Sequence, residues 1–183
     1  MLTVTIPQSE QWDERNQEFV YVKEQTLSLE HSLVSISKWE AKWNIPFLTK
    51  DEKTREQLLD YIKCMTLTQN VRPEIYNVIP DSVIKQVEEY IKAPMTATTV
   101  PKSNDVSREV ITSELIYYWM IALGIPFECQ KWHLNRLLML VSVCNFKNKA
   151  ASQNGKPKKL TNSELAQRAA LNEARKAALH TKG

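Results

Sequence analysis

The sequence predicts a mostly α-helical protein: a compact helical domain with a small N-terminal β-ribbon and a C-terminal basic helical tail. Three observations support this fold class. Only three glycines occur in 183 residues, so few positions favour the turns and bulges of an all-β fold. Apolar residues recur at intervals of three and four in several segments, as on one face of a helix. After residue 146 the composition changes, and large apolar side chains become rare.

The first 29 residues carry a strand pattern. Apolar and polar residues alternate from Leu2 to Ile6, and they alternate again between Phe19 and Leu29. Alternation with a period of two places the apolar side chains on one face of a strand. We therefore expect two short strands that pair as a ribbon.

From Leu29 the period changes to that of a helix. Its predicted apolar face consists of Leu29, Leu33, Ile36, Trp39 and Trp43. Ser28 can cap the N-terminus of this helix, and Pro46 disfavours helical backbone just before it, so the helix should end near residue 44. The two tryptophans of this face, like Trp119 and Trp132, are expected in the core because large aromatic side chains are mostly buried.

Two further helices are predicted in the first half of the chain. Thr49 and Glu52 have the spacing of a capping box, which indicates that a helix begins there. A third helix should begin at Asp81 and end at Lys92, before an Ala-Pro pair. Residues 95 to 104 are rich in Thr and Ser and show no strong period, so they are expected to form a loop.

Residues 111 to 140 form the most apolar segment and predict two helices separated at 124 to 126, where glycine and proline occur. The first helix, capped by Thr112 or Ser113, is apolar all round from 115 to 123, which is typical of a helix enclosed by protein. Charged residues, glycine and proline interrupt the segment before the roughly 20 apolar residues that a membrane span needs. No membrane span is therefore expected.

The C-terminal part differs in charge from the rest. Residues 147 to 183 contain nine Lys or Arg and two Glu, a formal charge of +7, and the preceding residues contain 15 basic and 19 acidic side chains, a formal charge of −4. We predict a helical domain with N-terminal strands over 1–146, a polar basic linker over 147–160 and a tail helix over 161–183. A capping box at 161 to 164 opens the tail helix, whose thin apolar side should gain order mainly by docking on a partner.

No pattern in the chain predicts catalysis. Cys129 and His133 are one helical turn apart and could supply two zinc ligands, or a thiolate and its base. Because further ligands do not lie nearby in the sequence, we expect a packed cysteine beside a hydrogen-bonded histidine. Glycine-rich phosphate loops, the nucleophile elbow and the HExxH motif are absent. We expect no enzyme, no cofactor and no metal.

The cysteines predict a reducing environment. Cys64, Cys129 and Cys144 lie far apart among apolar residues, unlike the dense even set of a secreted disulfide framework. The N-terminus lacks the basic and apolar regions of a secretory signal, so a cytosolic protein is expected. Nucleic-acid binding through the basic residues 147 to 159 is disfavoured, because Phe146 is the one nearby aromatic and no DNA-binding motif accompanies them.

The chain resembles tail assembly chaperones of long-tailed bacteriophages in four segments. These are SLEHSLVSISKWEAKW at 28–43, QLLDYIKCMTL at 57–67, APMTATTV at 93–100 and VITSELIYYWMIALGIPFECQKWHLNRLL at 110–138. The resemblance implies a soluble α-rich protein, absent from the finished virion, that coats the tape measure protein during tail growth. It also implies displacement by the tail tube protein and a location in the host cytoplasm during infection.

We therefore expect a non-catalytic phage morphogenesis protein that binds the tape measure protein and, secondarily, the tail tube protein, with self-association as a further option. The expected partner contacts are Phe146, Leu165, Arg168, Leu171 and Arg175. Two alternatives stay open. One is a virion component of the head-tail connector or neck, whose extended tail would bind a neighbouring subunit. The other is a nucleic-acid-binding accessory protein that acts through the basic tail, with strongly salt-dependent binding.

Overall fold

The structure is a computed structural model that describes residues 1–13, 17–49, 51–100, 109–154, 166, 168–173 and 175, the side chains of 11, 13, 18, 20, 153 and 154 excepted. In this part of the chain the protein is mostly α-helical with a small antiparallel β part, which confirms the predicted class. The chain divides into two compact units, Met1–Phe146 and Lys147–Gly183.

The N-terminal residues form a ribbon of four strands, rather than the predicted two. They are β1 (Leu2–Ile6), β2 (Ser9–Asp13), β3 (Glu18–Val22) and β4 (Gln25–Leu29). Strand β1 pairs with β4 and β2 pairs with β3, both antiparallel. Strand β2 was not predicted because its sequence, SEQWD, contains one large apolar residue and so shows no alternation.

Helix α1 (Leu33–Trp43) begins four residues later than predicted, because Leu29 belongs to β4. Its cap is Ser32: the Ser32 and Ser35 hydroxyl oxygens each accept the other's backbone N–H, which closes a capping box. The helix ends at Asn44, whose φ of 56° is left-handed, close to the predicted end. The predicted core position of the four tryptophans is confirmed, since Trp39 is fully buried and the other three pack partly buried against the core.

Helix α2 (Arg55–Met65) begins six residues after the predicted start at Thr49. The capping box is formed by Thr54 and Gln57, whereas the Thr49 hydroxyl donates to the carbonyl oxygen of Pro46 at 3.2 Å. A 3₁₀ segment, Pro73–Val78, follows. Helix α3 (Asp81–Lys92) has the predicted bounds.

Helix α4 (Ser113–Ala122) is capped by Thr112, one of the two predicted caps. A 3₁₀ segment, Phe127–Lys131, leads to helix α5 (Leu134–Asn154). Helix α5 therefore continues through residues that were predicted to be a linker. The reason is local, because residues 147 to 154 contain helix-favouring Lys, Ala and Gln and no glycine or proline. The predicted capping box at 161 to 164 lies outside the described residues.

The core of the first unit lies where α1 packs against α2 and α4. Its fully buried side chains come from every layer: Ile6 and Leu27 from the ribbon, Leu33, Ile36 and Trp39 from α1, Tyr61 and Met65 from α2, and Ile116 and Met120 from α4. Among the described helices, none has the length and apolar content that crossing a membrane requires.

Candidate partner-binding surfaces

Cys129 and His133, the pair with the spacing of metal ligands or of a thiolate and its base, both lie buried in the structure. Cys129 lies buried in the 3₁₀ segment before α5, and His133 directly precedes that helix. His133 Nε2 donates to the Tyr90 carbonyl oxygen at 3.0 Å, and its Nδ1 accepts the backbone N–H of Asn135 at 3.3 Å. Both ring nitrogens are therefore occupied, and the imidazole caps α5. In the described part of the chain, no group of three or more His, Cys, Asp or Glu side chains could hold a metal ion.

A second histidine shares this interior. His31 is buried, its ring centroid lies 5.0 Å from that of His133, and its Nδ1 lies 2.5 Å from the Tyr61 hydroxyl oxygen. Burial lowers the pKa of His31 to about 3, and the neighbouring His133 lowers it further in the same direction. Burial also lowers the pKa of His133. The two rings are neutral and structural at physiological pH.

Glu40 is a buried carboxylate that joins three parts of the fold. Its Oε1 accepts the backbone N–H of Phe47 at 2.7 Å, and its Oε2 accepts the backbone N–H of Ser113 at 2.8 Å. Ser113 is the first residue of α4, so the carboxylate also lies at the positive end of a helix. Glu40 thus fixes α4 to the end of α1 and requires no substrate to explain its burial.

Helix α4 exposes large apolar side chains, although the sequence predicted that it would be enclosed. Ile116 and Met120 point into the core, whereas Tyr118 and Ile121 are 63% and 64% exposed. The helix is apolar all round; α1 packs against it, whereas the side with Tyr118 and Ile121 is exposed. The prediction of an enclosed helix is therefore wrong, because hydrophobicity alone cannot show whether a partner inside the chain covers each side.

The exposed side of α4 continues into its surroundings. Glu114, Tyr118 and Ile121 lie at positions i, i+4 and i+7 of one stripe. Phe127 is also exposed, and its ring stacks on Tyr117 with centroids 6.4 Å apart. At the other end, Glu114 lines a cleft of about 280 Å³ together with the exposed Ile45. We call Glu114, Tyr118, Ile121 and Phe127 the α4 face.

The ribbon exposes a second aromatic surface near its tip. Trp12, Phe19 and Tyr21 are 49%, 69% and 50% exposed. Trp12 lies opposite Phe19 in the register, and the two rings meet edge to face with centroids 5.0 Å apart. The Tyr21 hydroxyl donates to Gln8 Oε1 at 2.7 Å. We call the surface formed by Gln8, Glu10, Trp12, Phe19, Tyr21 and Lys23 the ribbon face.

A groove of about 580 Å³ lies between the β3–β4 connection and the 3₁₀ segment Pro73–Val78. Its lining contains two basic side chains, Lys23 and Arg72, and two acidic side chains, Glu24 and Glu74. Because the two signs of charge are mixed, the groove selects neither an anionic nor a cationic ligand.

Of the five residues predicted as partner contacts, the four that the structure describes are exposed. Phe146 lies exposed on α5, and Arg168, Leu171 and Arg175 are exposed helical residues of the second unit. Leu165 lies outside the described residues. Their role in binding stays a prediction.

The sequence did not identify the α4 face or the ribbon face as candidate sites. A signal for the ribbon face was present, since Trp12 and Phe19 are large aromatics on either side of the polar run DERNQE. Aromatic residues that bracket a turn often form a cross-strand pair. For Tyr118 and Ile121 no sequence signal distinguishes them from their buried neighbours.

Comparisons of the chain with protein-family models, with curated proteins and with solved structures find no match.

Proposed function

We propose that this protein is a non-catalytic tail assembly chaperone of a long-tailed bacteriophage, which binds the tape measure protein in the host cytoplasm while the tail is assembled. The four segments that resemble that family support this function. The observation that carries it is the exposed apolar patch that Tyr118 and Ile121 form on the α4 face, because such a patch on a folded domain is typical of a protein-binding site.

The α4 face fits one kind of partner best, an amphipathic helix. A helix presents apolar side chains at the same i, i+4, i+7 spacing that Glu114, Tyr118 and Ile121 follow, so the two stripes can pack along each other. Glu114 within the stripe and Glu128 next to Phe127 are both exposed and acidic. The partner helix should therefore carry Lys or Arg at the margins of its apolar stripe.

A finer part of the proposal concerns the tail. Arg168, Leu171 and Arg175 are exposed, and the described residues around them are helical. A basic helix with few apolar side chains is marginal alone and gains order on a partner. In the proposed function the tail is a second contact for the tape measure protein, with Leu165 as its other apolar contact, and Phe146 on α5 is a further apolar contact.

The first experiment tests binding at the α4 face. The chain is co-expressed with the tape measure protein of the same phage, and the soluble, co-purified fraction of the tape measure protein is measured. The Tyr118→Ser/Ile121→Ser variant should reduce that fraction at least fivefold. The matched control is Lys85→Ser/Gln86→Ser on the exposed side of α3, which should leave the fraction unchanged. Equal recovery with both variants would contradict the proposal.

The second experiment separates the chaperone from the virion component. Peptides of this chain are quantified by mass spectrometry in infected-cell lysate and in purified, DNA-filled particles. Abundance in lysate with absence from particles supports a transient chaperone. Stoichiometric presence in particles would reject it in favour of a connector or neck subunit.

A further inference from the structure

The ribbon is one continuous structure although its strands form two separate ladders. Leu2 pairs with Leu29 in the first ladder, and Ser9 pairs with Val22 in the second. In both ladders the numbers of paired residues add up to 31, so the short break between them contains no bulge. Pro7 lies in this break and has no N–H to donate to a ladder.

Continuous register fixes which side chains share a face. Alternate residues of a strand point to the same side, so one face of the ribbon contains the buried Val4 and Leu27 at its base. The residues that continue this face toward the tip are Gln8, Glu10, Trp12, Phe19, Tyr21 and Lys23. One side of the ribbon therefore packs into the core at the base and, farther out, becomes the ribbon face, where its aromatic side chains are exposed.

The ribbon turns its other face inward beyond the break. Val22 lies on the opposite face from Trp12 and Tyr21, and it is buried and belongs to the core. Strong coiling of two-stranded ribbons accounts for this exchange of faces. Among the described elements, β2 and β3 make their main contacts with each other. Trp12 and Phe19 near the tip are exposed, and Tyr21 and Lys23 border the groove beside the 3₁₀ segment Pro73–Val78 but stay exposed as well.

We propose that the ribbon face is a homotypic interface, on which a second copy of this chain packs its own ribbon face. The charges favour a second copy, because the face carries one acidic residue, Glu10, and one basic residue, Lys23, and so has no net charge. A strongly basic or strongly acidic partner would gain nothing from such a surface.

The arrangement of these residues is also self-complementary. We call each pair of residues that face each other across the two strands, such as Trp12 and Phe19, one level of the ribbon. A two-fold axis parallel to the strands places each level against the same level of the second copy, with β2 of one copy opposite β3 of the other. Trp12 then faces Phe19 of the second copy, and Glu10 faces its Tyr21. Like charges do not meet, and Glu10 comes within one level of Lys23 of the second copy.

The contact is small, and this determines the expected strength. A standard stable interface covers about 800 Å² on each partner, whereas the ribbon face consists of three levels of side-chain pairs. Association should therefore be weak and depend on concentration. It would strengthen when several copies bind one long partner, because the local concentration rises.

The test is sedimentation velocity of the full chain from low micromolar to several hundred micromolar. The wild-type chain should shift toward dimer across this range. Trp12→Thr/Phe19→Thr should weaken self-association at least tenfold, and the α4 variant Tyr118→Ser/Ile121→Ser, as matched control, should not. Circular dichroism and urea unfolding establish that each variant is folded. A wild-type chain that stays monomeric throughout, or a ribbon variant that associates like wild type, would overturn the proposal.

Charge exchange gives a test that does not alter the aromatic residues. Glu10→Lys gives the face two cations, and Lys23→Glu gives it two anions, so each variant alone should associate more weakly than wild type. A mixture of the two variants should associate more tightly than either alone, since opposite faces then meet. A mixture no tighter than its components would reject the interface. If the wild-type chain is monomeric and the Trp12→Thr/Phe19→Thr variant loses binding to the tape measure protein, the ribbon face is instead assigned to that partner.

Discussion

Aromatic residues play opposite roles in the interior and at the two exposed faces. In the interior each polar atom of a ring system has a partner: the Trp39 indole N–H donates to the Gln57 carbonyl oxygen, and the Tyr61 hydroxyl lies between His31 and Ser35. On the outer surfaces Trp12, Phe19 and Tyr118 are exposed. Substitutions inside should therefore cost stability, and substitutions outside should cost binding.

The largest effect is expected at Glu40, a buried carboxylate that accepts two backbone N–H groups. Glu40→Ala leaves the backbone N–H groups of Phe47 and Ser113 buried without an acceptor. Each unsatisfied group costs about 1–3 kcal/mol, so the free energy of unfolding should fall by about 3 kcal/mol in urea titrations. Glu89→Ala on the exposed side of α3 is the control and should be nearly neutral. A loss below about 1 kcal/mol at Glu40 would mean that water replaces the carboxylate.

The next effect concerns pH. The pKa of His31 is lowered to about 3 from 6.5, and that of His133 is lowered too, so below pH 6.5 the unfolded chain binds protons that the folded chain does not. Stability is complete above pH 6.5 and is lost as the pH falls toward the folded pKa. Between pH 7.5 and 5.5, His31 alone should lower the free energy of unfolding by about 1.4 kcal/mol.

A variant separates the two histidines. His133→Asn removes one titrating ring but keeps a side chain that can cap α5, so its loss of stability between pH 7.5 and 5.5 should be smaller than that of wild type. Urea unfolding at several pH values measures both chains. A free energy of unfolding that does not change over this range would contradict the neutral, buried state of the pair.

A smaller effect is expected at the border between interior and surface. Gly124 ends the turn after α4 with a φ of +64°, and a Cβ added there would meet no atom within 4 Å. Gly124→Ala should therefore cost only the backbone strain of that angle, about 1 kcal/mol. Gly124→Asn should cost less, because Asn tolerates the left-handed region. Thermal unfolding of the two variants is the measurement: backbone strain predicts that Gly124→Ala costs more than Gly124→Asn, and crowding predicts the opposite order.

The smallest effect on stability is expected on the α4 face. Tyr118→Ser/Ile121→Ser removes exposed side chains, so the free energy of unfolding should change by no more than about 0.5 kcal/mol. The same variant should lose partner binding, as described above. A loss of several kcal/mol would show that these side chains belong energetically to the interior, and the contrast between the two regions would fail.

The sequence predicted the elements whose local pattern agrees with their packing. Helix α3 is the clearest case, since Val83, Ile84 and Val87 follow one helical stripe and the same residues are buried. The prediction was wrong at Leu29, which is in phase with the helix that follows but pairs with Leu2 in the ribbon. Local periodicity cannot distinguish these two uses of an apolar residue.

The start of α2 and the candidate sites were harder to predict for a related reason. Thr49 and Thr54 both begin a capping-box pattern, and α2 uses the one at Thr54. Exposure of Tyr118 likewise depends on which elements lie next to α4, and the ribbon face depends on a register between residues 12 and 19. Such long-range relations are set by the fold and not by the neighbouring sequence.

The unbroken register of the ribbon also limits how its length can change. A single residue inserted into both connections, at Pro7 and at Glu24, would keep the strands paired but rotate Trp12 and Phe19 to the side that now holds Val22. Two residues inserted into each would restore their direction and move them about 7 Å farther from the base. The ribbon can therefore be lengthened or shortened only in steps of two residues on both strands, and each step shifts its aromatic tip by a fixed distance.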